Sequence, residues 1–125
     1  INDAILACEA LRRLGPEWVI CTSAWQFEEW LHNIAVGPHG VVQVRVPFFA
    51  DKNVVPKGTG DAFTAILLGH YLDHGDIPAA LSWASAALHG LIQGSIDRYA
   101  DELAVISDRD QITSPKCIFP VERLG

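Results

Sequence analysis

The chain has 125 residues, half of them hydrophobic, and carries a formal net charge of −6 at pH 7. This length is enough for one domain with its own core, so we predict a single domain over residues 1–125. The acidic charge offers no basic surface for nucleic acid or an anionic membrane, and no apolar run reaches the roughly 20 residues that cross a bilayer. We therefore expect no nucleic-acid partner and no membrane partner.

The cysteines indicate the redox state of the compartment, and the first residue bears on whether the sequence is part of a longer protein. Cys8, Cys21 and Cys117 lack any Cys-x-x-Cys spacing, which argues against a disulfide framework or a zinc site and favours a reducing, cytoplasmic compartment. The sequence starts at Ile1 and contains no methionine. We therefore expect it to be a piece of a longer protein.

The first elements predicted along the chain are a helix and a strand. Asn2 or Asp3 can cap a helix whose apolar residues follow helical spacing as far as residues 15–16. Residues 18–22 predict a short buried strand, and a helix followed by such a strand is typical of a parallel α/β sheet. Residues 23–29 are expected to form a loop that leaves this strand.

A β-hairpin is predicted next. Two strand-like segments, 31–36 and 41–46, flank the turn sequence Gly37-Pro38-His39-Gly40. The second segment alternates valine with Gln43 and Arg45, so we expect one covered face and one solvated face, as at the edge of a sheet.

Two long helices are predicted after a loop over residues 47–57. Residues 59–72 are apolar almost all round, which indicates a helix buried on most sides. Asp76 can cap the second helix, with Pro78 in its first turn. Gly94 is expected to end or loosen that helix.

The C-terminal region gives a weaker pattern. Residues 103–106 predict a final strand, and Ser107 predicts the cap of a short helix that closes at Pro115. No metal site is predicted: His70 and His74 share a helix face, but histidine is favoured near a helix C-terminus without any metal.

Gly58-Thr59-Gly60-Asp61 is the motif that indicates chemistry. Two glycines before an apolar helix allow a ligand to approach the backbone closely, and the first N–H groups of the helix point at negative charge. An aspartate there can accept the proton of an attacking hydroxyl, which is the arrangement that phosphoryl transfer needs. The alternative is a helix start in which Asp61 only stabilises the helix dipole.

Three segments in order resemble the C-terminal part of pyridoxal kinases, in the ribokinase-like superfamily. They are Gly-Pro-Glu-Trp-Val-Ile-Cys-Thr-Ser at 15–23, Gly-Thr-Gly-Asp-Ala-Phe at 58–63, and Glu-Leu-Ala-Val-Ile-Ser at 102–107 with Arg109, Asp110 and Pro115. The resemblance implies a three-layer α/β fold, of which this chain is the C-terminal part of a mostly parallel sheet with an edge hairpin and flanking helices.

The resemblance also implies site residues. Asp61 would activate the 5′-hydroxyl of pyridoxal, with Gly58 beside the substrate and Gly58, Thr59 and Gly60 around the γ-phosphate of ATP. Thr22 and Ser23 would contact the ATP phosphates. The residues that would border the adenine are Lys52, Asn53, Val54 and Val55.

Further implications concern what lies outside this chain. Mg²⁺ would be held mainly by residues elsewhere in the full-length protein, as would the pyridine ring, and the full-length protein would be a homodimer. The 125-residue chain alone is therefore expected to lack activity.

Several alternatives stay open. The Gly-x-Gly-Asp pattern is shared with hydroxymethylpyrimidine and sugar kinases of the superfamily, and a non-catalytic nucleotide-binding or partner-binding module could use the same fold. Trp25, just after Ser23, could stack on a flat ring, although packing is the more common role of tryptophan.

Overall fold

A computed structural model describes residues 2–49 and 55–124. The described residues form two compact units, one over 2–48 with 120–124 and one over 49–119 apart from the gap. The first holds a helix and a four-stranded sheet, and the second holds three helices. The predicted α/β class is confirmed. Within the described ranges, no helix combines the length and apolarity needed to cross a bilayer.

The sheet of the first unit is antiparallel throughout. Its strands lie in the order β1, β2, β3, β4, with every neighbouring pair antiparallel. The predicted hairpin is confirmed, with Pro38 and His39 between its strands and Gly40 at a φ of 116°. The strand bounds are β1 (Val19–Phe27), β2 (Trp30–Gly37), β3 (Gly40–Pro47) and β4 (Val121–Arg123).

The predicted parallel pairing is wrong for these strands. Residues 19–22 belong to β1, which joins β2 through a two-residue turn, Glu28 and Glu29, and a turn this short permits only antiparallel pairing. The predicted loop over 23–29 is also wrong, because β1 continues to Phe27 past an irregularity at which Ser23 takes a φ of 49°.

The predicted edge position of β3 is wrong as well. β4 pairs with β3 on the side away from β2, with Val121 opposite Val44. Gln43, expected to face solvent, is only 7% exposed. Its side chain lies 2.8 Å from Nδ1 of His32 on the neighbouring strand, so the strand is covered on both faces at this point.

Helix α1 (Asn2–Arg12) packs its inner face on this sheet, and the predicted helix is confirmed. Cys8 contributes from the helix, while the sheet contributes Ile34, Val36 and Val41 to the same cluster of buried side chains. Each large apolar side chain buried in this way contributes about 1.5–3 kcal/mol to folding.

The second unit is built on two long helices, α2 (Thr59–His74) and α3 (Ile77–Asp97), followed by α4 (Asp110–Thr113). Asp76 caps α3 as predicted, since its Oδ1 accepts the N–H of Ala79 at 3.0 Å. The prediction that Gly94 ends α3 is wrong, because the helix runs on to Asp97. The missing side chain at Gly94 instead makes room for Asp108.

The predicted burial of α2 on most sides is wrong in this chain. Phe63 and Leu67 are buried, but Leu68 is 51% exposed and Leu72 is 73% exposed. Periodicity identifies apolar residues and cannot identify what covers them.

The predicted strand over 103–106 is also wrong. The backbone N–H of Ala104 donates to Oγ of Ser95 at 2.7 Å, and the carbonyl of Ala104 accepts the N–H of Asp108 at 3.0 Å. These backbone groups serve a turn, so they are not available to a sheet. The short helix that follows is present as α4, but Arg109 rather than Ser107 precedes it, and no side chain caps it.

Candidate functional site

The Gly58 turn stands at the start of α2, as the sequence predicts. Gly58 is the N-cap residue, with φ 90° and ψ 10°, a left-handed conformation that glycine adopts at little cost. The N–H of Ala62 donates to the carbonyl of Gly58 at 3.1 Å. The N–H groups of Thr59, Gly60 and Asp61 precede that hydrogen bond and have no side-chain cap.

The described residues leave space over this turn. A Cβ placed on Gly58 or on Gly60 would have none of their atoms within 4 Å, apart from its chain neighbours and its own helix backbone. Gly58 is therefore required for its backbone conformation, whereas neither conformation nor packing within the described residues requires a glycine at position 60. A missing side chain at Gly60 leaves the backbone donors accessible to a ligand, and a helix N-terminus attracts an anion.

Asp61 lies in the first turn of α2 with its side chain exposed. Within the described residues it accepts no capping hydrogen bond and forms no ion pair. A carboxylate at this position interacts favourably with the helix dipole. Since it has no structural partner there, it is also free to accept a hydrogen bond from a bound hydroxyl.

Two connections that the sequence analysis missed hold the turn in place. The N–H of Lys57 donates to the carbonyl of Asp101 at 3.2 Å, and Lys57 forms an isolated parallel bridge with Glu102. On the helix side, Oγ1 of Thr64 donates to the carbonyl of Gly60 at 3.0 Å. A threonine four residues after Gly60 is a recognisable local signal, but the pairing of Lys57 has none.

Thr22 and Ser23 lie in the first unit, on the irregular part of β1, and both are exposed. The backbone N–H of Ser23 donates to Oδ1 of Asn33 at 2.8 Å, which holds the unusual conformation of Ser23. The Gly58 turn belongs to the second unit, so the structure describes these two groups of predicted site residues separately.

The predicted adenine border is described only at its last residue. Lys52, Asn53 and Val54 lie outside the described residues, whereas Val55 is half-buried and directly precedes buried Pro56.

Trp25 has a packing partner inside the first unit. Its ring stacks on the ring of His32, with 4.9 Å between the ring centroids. It also packs against the cluster that contains Cys8 and Ile34. This contact favours the packing interpretation of Trp25 over stacking on a ligand.

His70 and His74 stack on each other near the end of α2, with ring centroids 4.2 Å apart. Nδ1 of His74 lies 3.1 Å from the carbonyl of His70, and desolvation lowers the pKa of His70. Among the residues that the structure describes, no group of three or more His, Cys, Asp or Glu side chains could hold a metal ion.

Comparison with known proteins relates the chain to kinases. No family model matches it. A curated pyridoxal kinase from Corynebacterium diphtheriae is 30% identical over 127 residues, which cover 99% of this chain and 44% of that protein. The chain spans less than half the length of the curated relatives it matches.

Comparison with solved structures shows which proteins share the fold of this chain. Pyridoxal kinase from Leishmania donovani, in complex with ADP and pyridoxamine, superposes with a TM-score of 0.85 at 23% identity, covering 100% of this chain and 45% of that chain. A Bacteroides thetaiotaomicron structure with pyridoxal, provisionally named a phosphomethylpyrimidine kinase, gives a TM-score of 0.77 at 19% identity and covers 98% of this chain and 44% of that chain. The chain therefore has the fold of these kinases, and its predicted resemblance to pyridoxal kinases is confirmed.

Proposed function

We propose that the full-length protein containing this chain transfers the γ-phosphoryl group of ATP to the 5′-hydroxyl of pyridoxal and of its relatives pyridoxine and pyridoxamine. The observation that carries the proposal is the start of α2, where uncapped backbone N–H groups and the free carboxylate of Asp61 stand beside open space. The similarity to curated pyridoxal kinases supports the choice of reaction.

The proposed chemistry assigns one task to each part of the turn. The N–H groups of Thr59 and Gly60 hold the γ-phosphate oxygens and stabilise the charge that spreads over them during transfer. The carboxylate of Asp61 accepts a hydrogen bond from the attacking hydroxyl and takes its proton as the new O–P bond forms. The bond to the β-phosphate oxygen breaks, and ADP leaves.

The proposed substrate follows from the relatives rather than from this chain. The Leishmania donovani kinase was solved with ADP and pyridoxamine, and also with ADP and pyridoxine. The Bacteroides thetaiotaomicron protein was solved with pyridoxal but bears the name of a phosphomethylpyrimidine kinase. A hydroxymethylpyrimidine is therefore the second candidate acceptor.

The remaining assignments belong to the same proposal. Thr22 and Ser23 contact the ATP phosphates, and residues 52–55 border the adenine. Mg²⁺ accompanies ATP, with protein ligands outside the described residues, and the full-length protein is a homodimer. The free thiols of Cys8, Cys21 and Cys117 support a reducing, cytoplasmic compartment.

A panel of alcohols tests this proposal. Full-length protein is incubated with ATP, Mg²⁺ and either pyridoxal, pyridoxine, pyridoxamine, hydroxymethylpyrimidine or ribose, and ADP release is measured. We expect the highest kcat/KM with a B6 vitamer. A clear preference for the pyrimidine or the sugar would contradict the substrate assignment, and no transfer to any alcohol would contradict the kinase assignment.

A further inference from the structure

Strand β1 leaves regular pairing at the two residues that we assign to the ATP phosphates. Between the pairs that Cys21 and Trp25 make with β2, β1 has three residues, 22–24, whereas β2 has only Asn33. The extra residues of β1 form a bulge. Within it, Ser23 takes a φ of 49°, a left-handed conformation that costs free energy for a residue with a Cβ.

Asn33 holds this bulge from inside the sheet. Its Oδ1 accepts the backbone N–H of Ser23 at 2.8 Å. Asn33 is only 6% exposed, whereas Thr22 and Ser23 are both exposed among the described residues. The hydrogen bond therefore ties an exposed stretch of backbone to a side chain that the surrounding sheet keeps in place.

Stability alone does not favour a polar residue at position 33. The next three residues of β2, Ile34, Ala35 and Val36, are apolar and fully buried. Burying an amide costs free energy unless its polar atoms are hydrogen-bonded, and an apolar residue in a regularly paired strand carries no such cost. A buried amide and a strained serine are thus in direct contact, and strain of this kind is concentrated at functional sites.

We propose that Asn33 is a positioning residue for the ATP phosphates. By accepting the N–H of Ser23, it sets the bulge in the conformation in which Thr22 and Ser23 meet the phosphates, and it touches no phosphate itself. This inference rests on the proposed function, which supplies the contact of these two residues with ATP. Because the bulge is already formed, ordering it does not weaken the binding of ATP.

The binding of two ligands to the full-length protein tests this role. Asn33→Leu keeps a side chain of similar size but removes the acceptor for the N–H of Ser23. We expect the dissociation constant of ATP, measured by calorimetry, to rise about tenfold, and that of adenosine, which has no phosphates, to stay unchanged. Asn33→Ala gives the same test with a smaller side chain. A purely structural role for Asn33 would not distinguish the two ligands.

Gln43→Leu is the matched control. Gln43 is also a buried amide of this sheet, 7% exposed, and its Oε1 lies 2.8 Å from Nδ1 of His32 on β2. Loss of this contact should lower the free energy of unfolding, as Asn33→Leu does, but leave both dissociation constants unchanged. Urea unfolding measures the stability of each variant and shows that it is folded.

A double variant separates failure of this inference from failure of the proposed function. Thr22→Val with Ser23→Ala removes both hydroxyls. If it weakens ATP binding while the two Asn33 variants leave it unchanged, Asn33 is not a positioning residue and the phosphate contact stands. If none of these variants changes ATP binding, the phosphate contact is itself wrong, and the role of Asn33 with it. An equal loss of affinity for ATP and adenosine in the Asn33 variants would also overturn the inference.

Discussion

The two long helices of the second unit begin in opposite ways. At the start of α3, the side chain of Asp76 accepts the N–H of Ala79 at 3.0 Å, and Pro78 occupies the first turn. At the start of α2, Gly58 takes a left-handed conformation and no side chain caps the first N–H groups. One helix start has a side chain that accepts a backbone N–H, and the other has no side-chain cap among the described residues.

The difference distinguishes Asp76, which caps its helix, from Asp61, to which we assign the role of catalytic base in our proposal. An N-cap such as Asp76 stabilises its helix by about 1 kcal/mol and needs no ligand to do so. Asp61 lies inside the first turn of α2, caps nothing, and is exposed beside free donors. Leaving donors uncapped costs stability unless water or a ligand satisfies them, and in our proposal the phosphate is that ligand.

The largest effect is expected from Asp61→Asn in the full-length protein. The amide keeps the size of the side chain but cannot take a proton, so kcat should fall by about 10²- to 10⁴-fold while nucleotide affinity is largely kept. Steady-state kinetics and nucleotide titration measure the two quantities. Asp76→Asn is the matched control, because asparagine also caps a helix. Equal turnover in the two variants would remove the distinction between the helix starts.

The next largest effect is expected from Gly60→Ala. The new Cβ would contact no other described residue, so the free energy of unfolding should stay the same or rise by up to about 1 kcal/mol. In the proposed complex the phosphate approaches the backbone at this residue, so the added Cβ should obstruct it and kcat/KM should fall at least about tenfold. Gly58→Ala provides the contrast, because alanine at a φ of 90° should lower stability by about 1–2 kcal/mol. Full activity in the Gly60 variant would show that the open space is not used.

A smaller effect, on stability alone, is expected from Asp76→Ala. Removal of the cap leaves the N–H of Ala79 without its 3.0 Å partner, and the free energy of unfolding should fall by about 1 kcal/mol. Urea unfolding measures the loss, while turnover under folding conditions should match that of the wild type. A fall in kcat as large as that of Asp61→Asn would mean that Asp76 also serves the reaction.

The smallest effect is expected on the pH dependence of stability, through His89 in the middle of α3. His89 stacks on Phe49 with 5.1 Å between ring centroids, and burial lowers its pKa below the usual 6.5. A neutral histidine is therefore favoured in the folded state. Its contribution to stability is fully present above pH 6.5 and is lost as the pH falls from there through the lowered folded value.

Urea midpoints at pH 7.5 and 5.5 measure this effect. We expect His89→Gln to reduce the pH dependence of stability, and His39→Gln, in the exposed hairpin turn, to leave it unchanged. An unaltered pH dependence in the His89 variant would contradict the assignment.

Local chemistry allowed much of the fold and the centre of the site to be predicted. The turn at Gly37 to Gly40, the cap at Asp76 and the glycine turn at Gly58 each involve neighbours in sequence, and each is present. The roles of Asp61 as the base and of the Gly58 turn as the phosphate site stay predictions, which the kinetic experiments above test.

Pairings between distant residues could not be predicted. β4 lies beside β3 through Val121 and Val44, and Lys57 is held by Glu102. No local pattern encodes such contacts, because they depend on which segments the whole chain brings together. A helix followed by a strand predicts a parallel sheet, yet the two-residue turn after β1 imposes the antiparallel arrangement.

The central claim is that the start of α2, and not the start of α3, binds the phosphates. It is tested most directly by backbone amide NMR of the isotopically labelled full-length protein, titrated with a non-hydrolysable ATP analogue. We predict that the amide signals of Thr59, Gly60 and Asp61 shift strongly while that of Ala79 stays in place. Unmoved signals at the Gly58 turn in a protein that binds the analogue would contradict this account.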